Sequence, residues 1–169
     1  MIEAQRTAAE SKAKLQEMDV EGRKLDADLV EMKLKLGGFT RNREAVQGKL
    51  RLAKDTVSRG ERELLRVQNE MRQAVKNGDT STDYKFVVDT AADKLKESKE
   101  DLRVLRTQLE SLDTEVNRAS IDVSNMEKKR ATLVQAAKDL QAVHGENMLA
   151  AKTYAAKHEK IAAAWQEHS

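Results

Sequence analysis

The sequence predicts an all-α protein, built as a long antiparallel two-helix coiled-coil hairpin. Three observations predict it: a helix-forming composition, a heptad repeat of apolar residues, and one break in the phase of that repeat. Charged residues make up 36% of the chain and aromatic residues only 3%, and proline is absent. This composition is typical of long helices and leaves too little bulky apolar material for a thick globular core.

The first coiled-coil arm is predicted over residues 1–77. Apolar residues recur at alternating steps of three and four, with Leu15 at heptad position a and Met18 at d, and the pattern continues to Ala74. Gly37 and Gly38 fall at b and c, outside the apolar seam, and the phase beyond them is unchanged. Each glycine costs about 1 kcal/mol relative to alanine, which a long seam can absorb. The helix is therefore predicted to run through both.

The hairpin loop is predicted over residues 78–83. Asn77-Gly78 is a helix-stop and turn signal, and Asp83 can cap a following helix. After this segment the heptad restarts with Val88 and Leu95 at a, out of phase with the first arm. Phase is lost here and kept at Gly37-Gly38, which indicates a single turn and two antiparallel arms.

The second arm is predicted over residues 84–144, followed by an Ala-rich C-terminal helix over 145–169. Gly145 can stop or kink the second arm, and the a/d pattern after it is loose. Two arrangements are open for the last stretch: it pairs with the Ala4–Ser11 region, or it forms a separate short helix carrying the single tryptophan, Trp165.

The seam between the arms is predicted to be lined by one set of apolar a and d residues. Closing the loop with Gly78 opposite Tyr84 predicts that Gly60 faces Leu102 and Gly22 faces Leu140. Flanking ion pairs between the arms are predicted for Lys33 with Glu127 and Glu61 with Lys99. The seam residues are Leu25, Leu29, Met32, Leu36, Leu50, Val57, Leu64, Leu102, Leu105, Leu109, Leu112, Val116, Met126, Leu133 and Leu140.

No motif in the sequence predicts catalysis, a cofactor or a metal. Asn77, Asp79, Ser81 and Asp83 alternate like the start of a calcium loop, but the glycine and glutamate that complete such a loop are missing. His158-Glu159 begins like a zinc-protease helix but lacks the second histidine. We expect a non-enzymatic protein with no cofactor.

Charge and hydropathy restrict the partners and the location. Basic and acidic residues nearly cancel, 31 against 29, which gives little support to nucleic-acid binding. There is no cysteine, no apolar signal peptide at the start of the sequence, and no apolar run long enough for a transmembrane segment. We expect a soluble protein in the cytoplasm or within a larger particle such as a virion or a secretion complex.

A second set of residues, all of them outside the a/d seam except Trp165, predicts an interface with protein partners. Scattered surface aliphatic residues are normal, and that interpretation stands beside this one. A second interface would allow a homo-oligomer, in which hairpins assemble into a helical bundle, or binding of a partner helix. The residues are Val20, Ala27, Val30, Leu34, Gly37, Gly38, Ile121, Val134 and Trp165.

These features favour a structural or interaction protein, a rigid coiled-coil rod that spaces, scaffolds or docks partners. The alternative is an adaptor or export-associated hairpin, whose tip or C-terminal tail binds a secretion machine, receptor, membrane or nucleic acid. The architecture resembles that of export-apparatus stalk proteins, of the receptor-binding rods of some bacteriocins, and of hairpin arms inserted in enzyme domains. This resemblance concerns architecture alone and implies no residue roles.

Overall fold

The protein is a helical hairpin, as the sequence predicts. The computed structural model describes residues 2–168 as α1 (Ile2–Lys76) and α2 (Tyr84–Glu167), joined by the loop at 77–83. α1 runs through Gly37 and Gly38 without interruption, which confirms that prediction. α2 likewise runs through Gly145, so the Ala-rich C-terminal stretch is the end of α2.

The heptad pattern appears in the structure as a stripe of burial along each helix. Every predicted a and d position of α1 from Ala4 to Ala74 is buried or half-buried. The same holds for α2 from Tyr84 to Leu140, with the exception of Arg130. Val67 is the most deeply buried large side chain among the described residues, 2% exposed. Burial of such a valine contributes about 1.5–3 kcal/mol, so the seam carries most of the apolar stabilisation.

The hairpin divides into two compact units, each containing a segment of both helices. Unit 1 comprises Met1–Leu34 and Ile121–Ser169, and unit 2 comprises Lys35–Ser120. In unit 2, Val57, Leu95 and Leu102 form a buried cluster against which Leu50, Ala53 and Leu64 pack. The buried residues of unit 1 are Ala8, Ser11, Leu29 and Val123.

The loop ends α1 through a left-handed glycine. Gly78 has φ of 66°, and its N–H donates to the Val75 carbonyl while the Asp79 N–H donates to the Ala74 carbonyl at 2.9 Å. These two bonds form a Schellman motif. Asp83 then accepts a bond from the Phe86 N–H at 3.1 Å and caps α2. The predicted helix stop and cap are both confirmed.

The pairing of the two helices differs from the sequence prediction. A Cβ on Gly60 would lie 3.2 Å from Leu95 Cδ1, and Leu95 supplies the nearest atoms rather than Leu102. A Cβ on Gly22 would meet Leu133 at 3.7 Å and not Leu140. Both predicted pairings are wrong by one heptad.

The loop explains this shift. Tyr84 lines a groove with Gln73 and Ala74, so α2 begins beside the last turn of α1 and not opposite Gly78. With this path of the segment at 77–83, Gly60 and Gly22 each lie one heptad away from their predicted partners on α2. A shift of one heptad keeps every a and d residue in the seam, which is why the burial pattern agrees with the sequence while the partners do not.

Ion pairs flank the seam within each unit. Lys33 Nζ lies 3.2 Å from Glu127 Oε1 in unit 1, and Lys99 Nζ lies 3.9 Å from Glu61 Oε1 in unit 2. Both pairs were predicted from the sequence and are confirmed. All four side chains are more than half exposed, so each pair contributes at most about 1 kcal/mol.

Candidate interaction surfaces

The ionisable groups whose pKa values are shifted belong to exposed ion pairs on the helices and to the loop. The guanidinium of Arg66 donates to Glu63 and lowers the pKa of that carboxyl group, and Glu63 raises the pKa of Arg66 in return. Bonds from the Ser81 hydroxyl and N–H lower the pKa of Asp79. Each shift stabilises a helix surface or a turn. Within residues 2–168, no group of three metal-ligating side chains is placed to hold an ion.

The first candidate surface, the outer stripe, lies on α1 in unit 1 and consists of Val20, Ala27, Val30 and Leu34. Their spacings of seven, three and four residues put them on one helix face, at heptad positions f and b, turned away from the seam. All four are exposed, Leu34 to 68%.

One charge beside the outer stripe, that of Arg23, is paired on the same helix. Arg23 Nη2 lies 3.0 Å from Asp19 Oδ2 on the same helix, and both side chains are exposed. An apolar partner that covers the stripe would therefore not have to desolvate an unpaired arginine there, which would otherwise be expensive.

The other predicted interface residues are not part of the outer stripe. Gly37 and Gly38 lie in unit 2, and a Cβ at either position would meet no atom within 4 Å. Ile121 and Val134 are exposed on α2 in unit 1. Since Ile121 holds the outward f position of α2, it points away from the seam on the opposite side from Val30 and Leu34.

A second candidate surface lies at the hairpin tip, which the sequence analysis named in the alternative function without identifying residues for it. Val75 and Phe86 flank the loop and are 75% and 68% exposed. Phe86 owes its position to the cap, because the Asp83 carboxylate binds its N–H and starts α2 there. The large apolar side chains of Val75 and Phe86 are therefore exposed to solvent beside the turn.

A third candidate surface, the tail, is the last part of α2, residues 156–167. Every residue of the tail is exposed, including Ile161 and, at 77%, Trp165. Just before it, Ala151 and Ala155 line a groove with Ala8 and Lys12 of α1. The sequence left two arrangements open for the last stretch. Pairing with the Ala4–Ser11 region is the one that describes the part of α2 up to Ala155. No described residue of the tail is buried or half-buried.

The seam beside the tail holds polar residues whose pairing the sequence did not predict. Asn147 Nδ2 donates to Ser11 Oγ at 3.3 Å, and the Ser11 hydroxyl donates to the Thr7 carbonyl. His144 Nδ1 is buried without a hydrogen-bond partner. The heptad register could have predicted this polar layer, because Ser11, His144 and Asn147 all fall on a or d positions.

Comparisons of the chain with protein families, with curated proteins and with solved structures found no match. Neither described helix contains an apolar stretch long enough to cross a membrane.

Proposed function

We propose that this protein is a non-enzymatic structural or interaction protein, a coiled-coil rod that spaces, scaffolds or docks protein partners within a larger assembly. The observation that carries the proposal is the outer stripe. The a and d residues already supply the seam between α1 and α2, so a hairpin by itself has no need of Val30 and Leu34 on the outside.

A partner helix suits the outer stripe better than a small ligand does. Its residues follow the i, i+3, i+4, i+7 pattern by which one helix packs on another. The face of a single helix is convex, and small-molecule sites are concave and enclosing. We therefore assign the outer stripe to a protein partner with a matching apolar helix face.

The test is a double substitution, Val30→Glu with Leu34→Glu, which puts two negative charges on the outer stripe and leaves every seam residue in place. We expect loss of the bound partner, or of the assembly mass measured by light scattering, with helical content by circular dichroism unchanged. Lys14→Glu is the matched control: it shifts the net charge by the same amount on an exposed, off-stripe position of the same helix. An unchanged mass and an unchanged set of captured proteins would make the stripe ordinary surface.

The second candidate function is an adaptor or export-associated hairpin whose tip or tail engages a secretion machine, receptor, membrane or nucleic acid. It is favoured by the exposed Val75 and Phe86. Val75→Glu with Phe86→Glu separates the two functions. A spacer that docks through the outer stripe keeps its partner in this variant, whereas an adaptor that docks through the tip loses it.

A further inference from the structure

A shallow groove runs between α1 and α2 in unit 1, on one side of the seam, and we call it the side groove. Lys12 of α1 and Met148 of α2 line it and hold e positions. In an antiparallel hairpin the e positions of both helices flank the same side of the seam. The side groove is therefore separate from the outer stripe, which lies on the outward face of α1 at residues 20–34. Its other lining residues include Ala8, Ala9, Ala151 and Lys152.

The shape of the side groove suits a third helix. Its α2 edge extends from His144 to Ala155, which is roughly 18 Å or three helical turns. Four of the lining residues are alanines, and such small side chains leave space for large side chains of a helix packed against them. Met148 is 41% exposed, and methionine adapts readily to differently shaped apolar partners.

The charges that line the side groove have one sign. Its charged lining residues are Lys12 and Lys152, and both are exposed. In the part of the chain that the structure describes, neither lysine takes part in an ion pair. Lys33 and Lys99, by contrast, each pair with a glutamate of the other helix. A partner with carboxylates along its edges would complement the two lysines of the side groove.

His144 adds a third polar group to the side groove. Its side chain lines the groove, and its Nδ1 atom is buried without a hydrogen-bond partner. A buried polar atom without a partner costs free energy. An imidazole can carry its proton on Nδ1, and that N–H then donates to an oxygen acceptor. A carboxylate is such an acceptor, so the same chemistry suits His144 and the two lysines.

We propose that the side groove binds an acidic amphipathic α-helix of a partner protein. Leucine-like side chains of this helix pack on Met148 and the alanines, and its Asp or Glu residues pair with Lys12 and Lys152. The bound helix forms a three-helix bundle with the two helices of unit 1. This inference does not rest on the proposed function, because the outer stripe and the side groove are different surfaces.

Two synthetic peptides of three heptads each serve as probes for the full chain. The acidic peptide has leucine at a and d and glutamate at e and g, and the basic peptide has lysine in place of every glutamate. We expect the chain to bind the acidic peptide at least about tenfold more tightly, measured by fluorescence anisotropy of the labelled peptide. The preference should shrink at high salt, because exposed ion pairs are screened.

Two variants assign the binding to the side groove. Lys12→Glu with Lys152→Glu should reverse the preference, so that the basic peptide binds more tightly. Met148→Glu should weaken binding of the acidic peptide by at least about tenfold. Leu149→Glu is the matched control, since it puts the same charge on the next residue, which holds the outward f position and is 67% exposed. It should bind like the unsubstituted chain, and circular dichroism should give all variants the same helical content.

Four results would overturn the proposal. The first is no binding of the acidic peptide, or equal affinity for both peptides. The second is an unchanged preference in Lys12→Glu with Lys152→Glu, and the third is equal binding by Met148→Glu and Leu149→Glu. The fourth is binding that Val30→Glu with Leu34→Glu removes and Met148→Glu does not, which would assign the peptide to the outer stripe. None of these results decides the proposed function, whose own test measures the partner held by the outer stripe.

Discussion

The two units of the hairpin share a heptad register but fill it with different side chains. The seam of unit 2 centres on Val57, Leu95 and Leu102, each no more than 9% exposed. The seam of unit 1 also contains branched residues, since Leu29 and Val123 are both 8% exposed. Where α1 begins, however, it contains Ala8, Ser11 and Asn147, and Asn147 donates a hydrogen bond to Ser11. Branched aliphatic side chains contribute more burial per layer than alanine and serine do.

The comparison shows that one hairpin can combine a strongly packed segment with a weakly packed segment. The weakly packed segment is more specific about the register in which the helices pair. Polar residues at a or d positions lower stability but restrict which register and partner a helix accepts. We therefore expect unit 2 to supply most of the stability. The polar layer in unit 1 should hold α2 in a single register just before the tail begins.

The largest effect is expected from truncating a seam leucine in each unit. Leu102→Ala in unit 2 should lower the free energy of unfolding by about 2–5 kcal/mol, because a buried leucine leaves a cavity. Leu140→Ala in unit 1 removes a half-buried side chain and should cost roughly half as much. Urea unfolding followed by circular dichroism measures both. Equal losses would mean that the two seams are equally well packed.

A smaller effect is expected from the two seam glycines, which differ in available space. Gly22→Ala should stabilise the protein by up to about 1 kcal/mol through helix propensity, since its Cβ would meet Leu133 at an ordinary 3.7 Å. Gly60→Ala should gain less, because Leu95 Cδ1 at 3.2 Å must move.

Gly60→Leu should be neutral to destabilising. Overpacking of the seam costs about 1–3 kcal/mol, whereas the gain in helix propensity on replacing glycine is at most about 1 kcal/mol. Thermal melts of the three variants under one set of conditions test the order. If Gly60→Leu clearly raises the melting temperature, Gly60 does not face Leu95 in a packed seam.

The smallest effect is expected from pH. The lowered pKa values of Glu63, Asp79 and Glu100 belong to unit 2 and arise from bonds with Arg66, Ser81 and Arg103, respectively. A carboxyl group whose folded pKa lies below its unfolded value stabilises the protein above the unfolded pKa. That contribution disappears as the pH falls through the folded pKa.

Acidification below about pH 4 should therefore remove the stability that these bonds add to unit 2. The difference in stability between the two units should then become smaller. Exposure of these side chains keeps the effect small. Carboxyl NMR titration of the folded protein should give each of the three groups a midpoint below the ordinary value for its residue type. Ordinary midpoints would show that these bonds are not maintained in solution.

Several features of this protein followed from its sequence because they depend on local chemistry. The preserved phase across Gly37-Gly38 predicted a continuous α1, since a turn has no reason to keep heptad phase. Asn77-Gly78 and Asp83 predicted the loop, because a left-handed C-cap and an N-cap need those residue types. The outward positions of Val30 and Leu34 likewise followed from the register alone.

The facing pairs and the exposed tail were decided only by the tertiary structure. A heptad repeat is unchanged by a shift of seven residues, so the sequence cannot distinguish Gly60 beside Leu102 from Gly60 beside Leu95. That choice depends on the path of the loop, which sets Tyr84 beside Ala74. The exposure of the tail was likewise seen only in the structure. Ile161 and Trp165 hold a/d positions in phase with the seam, and yet they are 59% and 77% exposed.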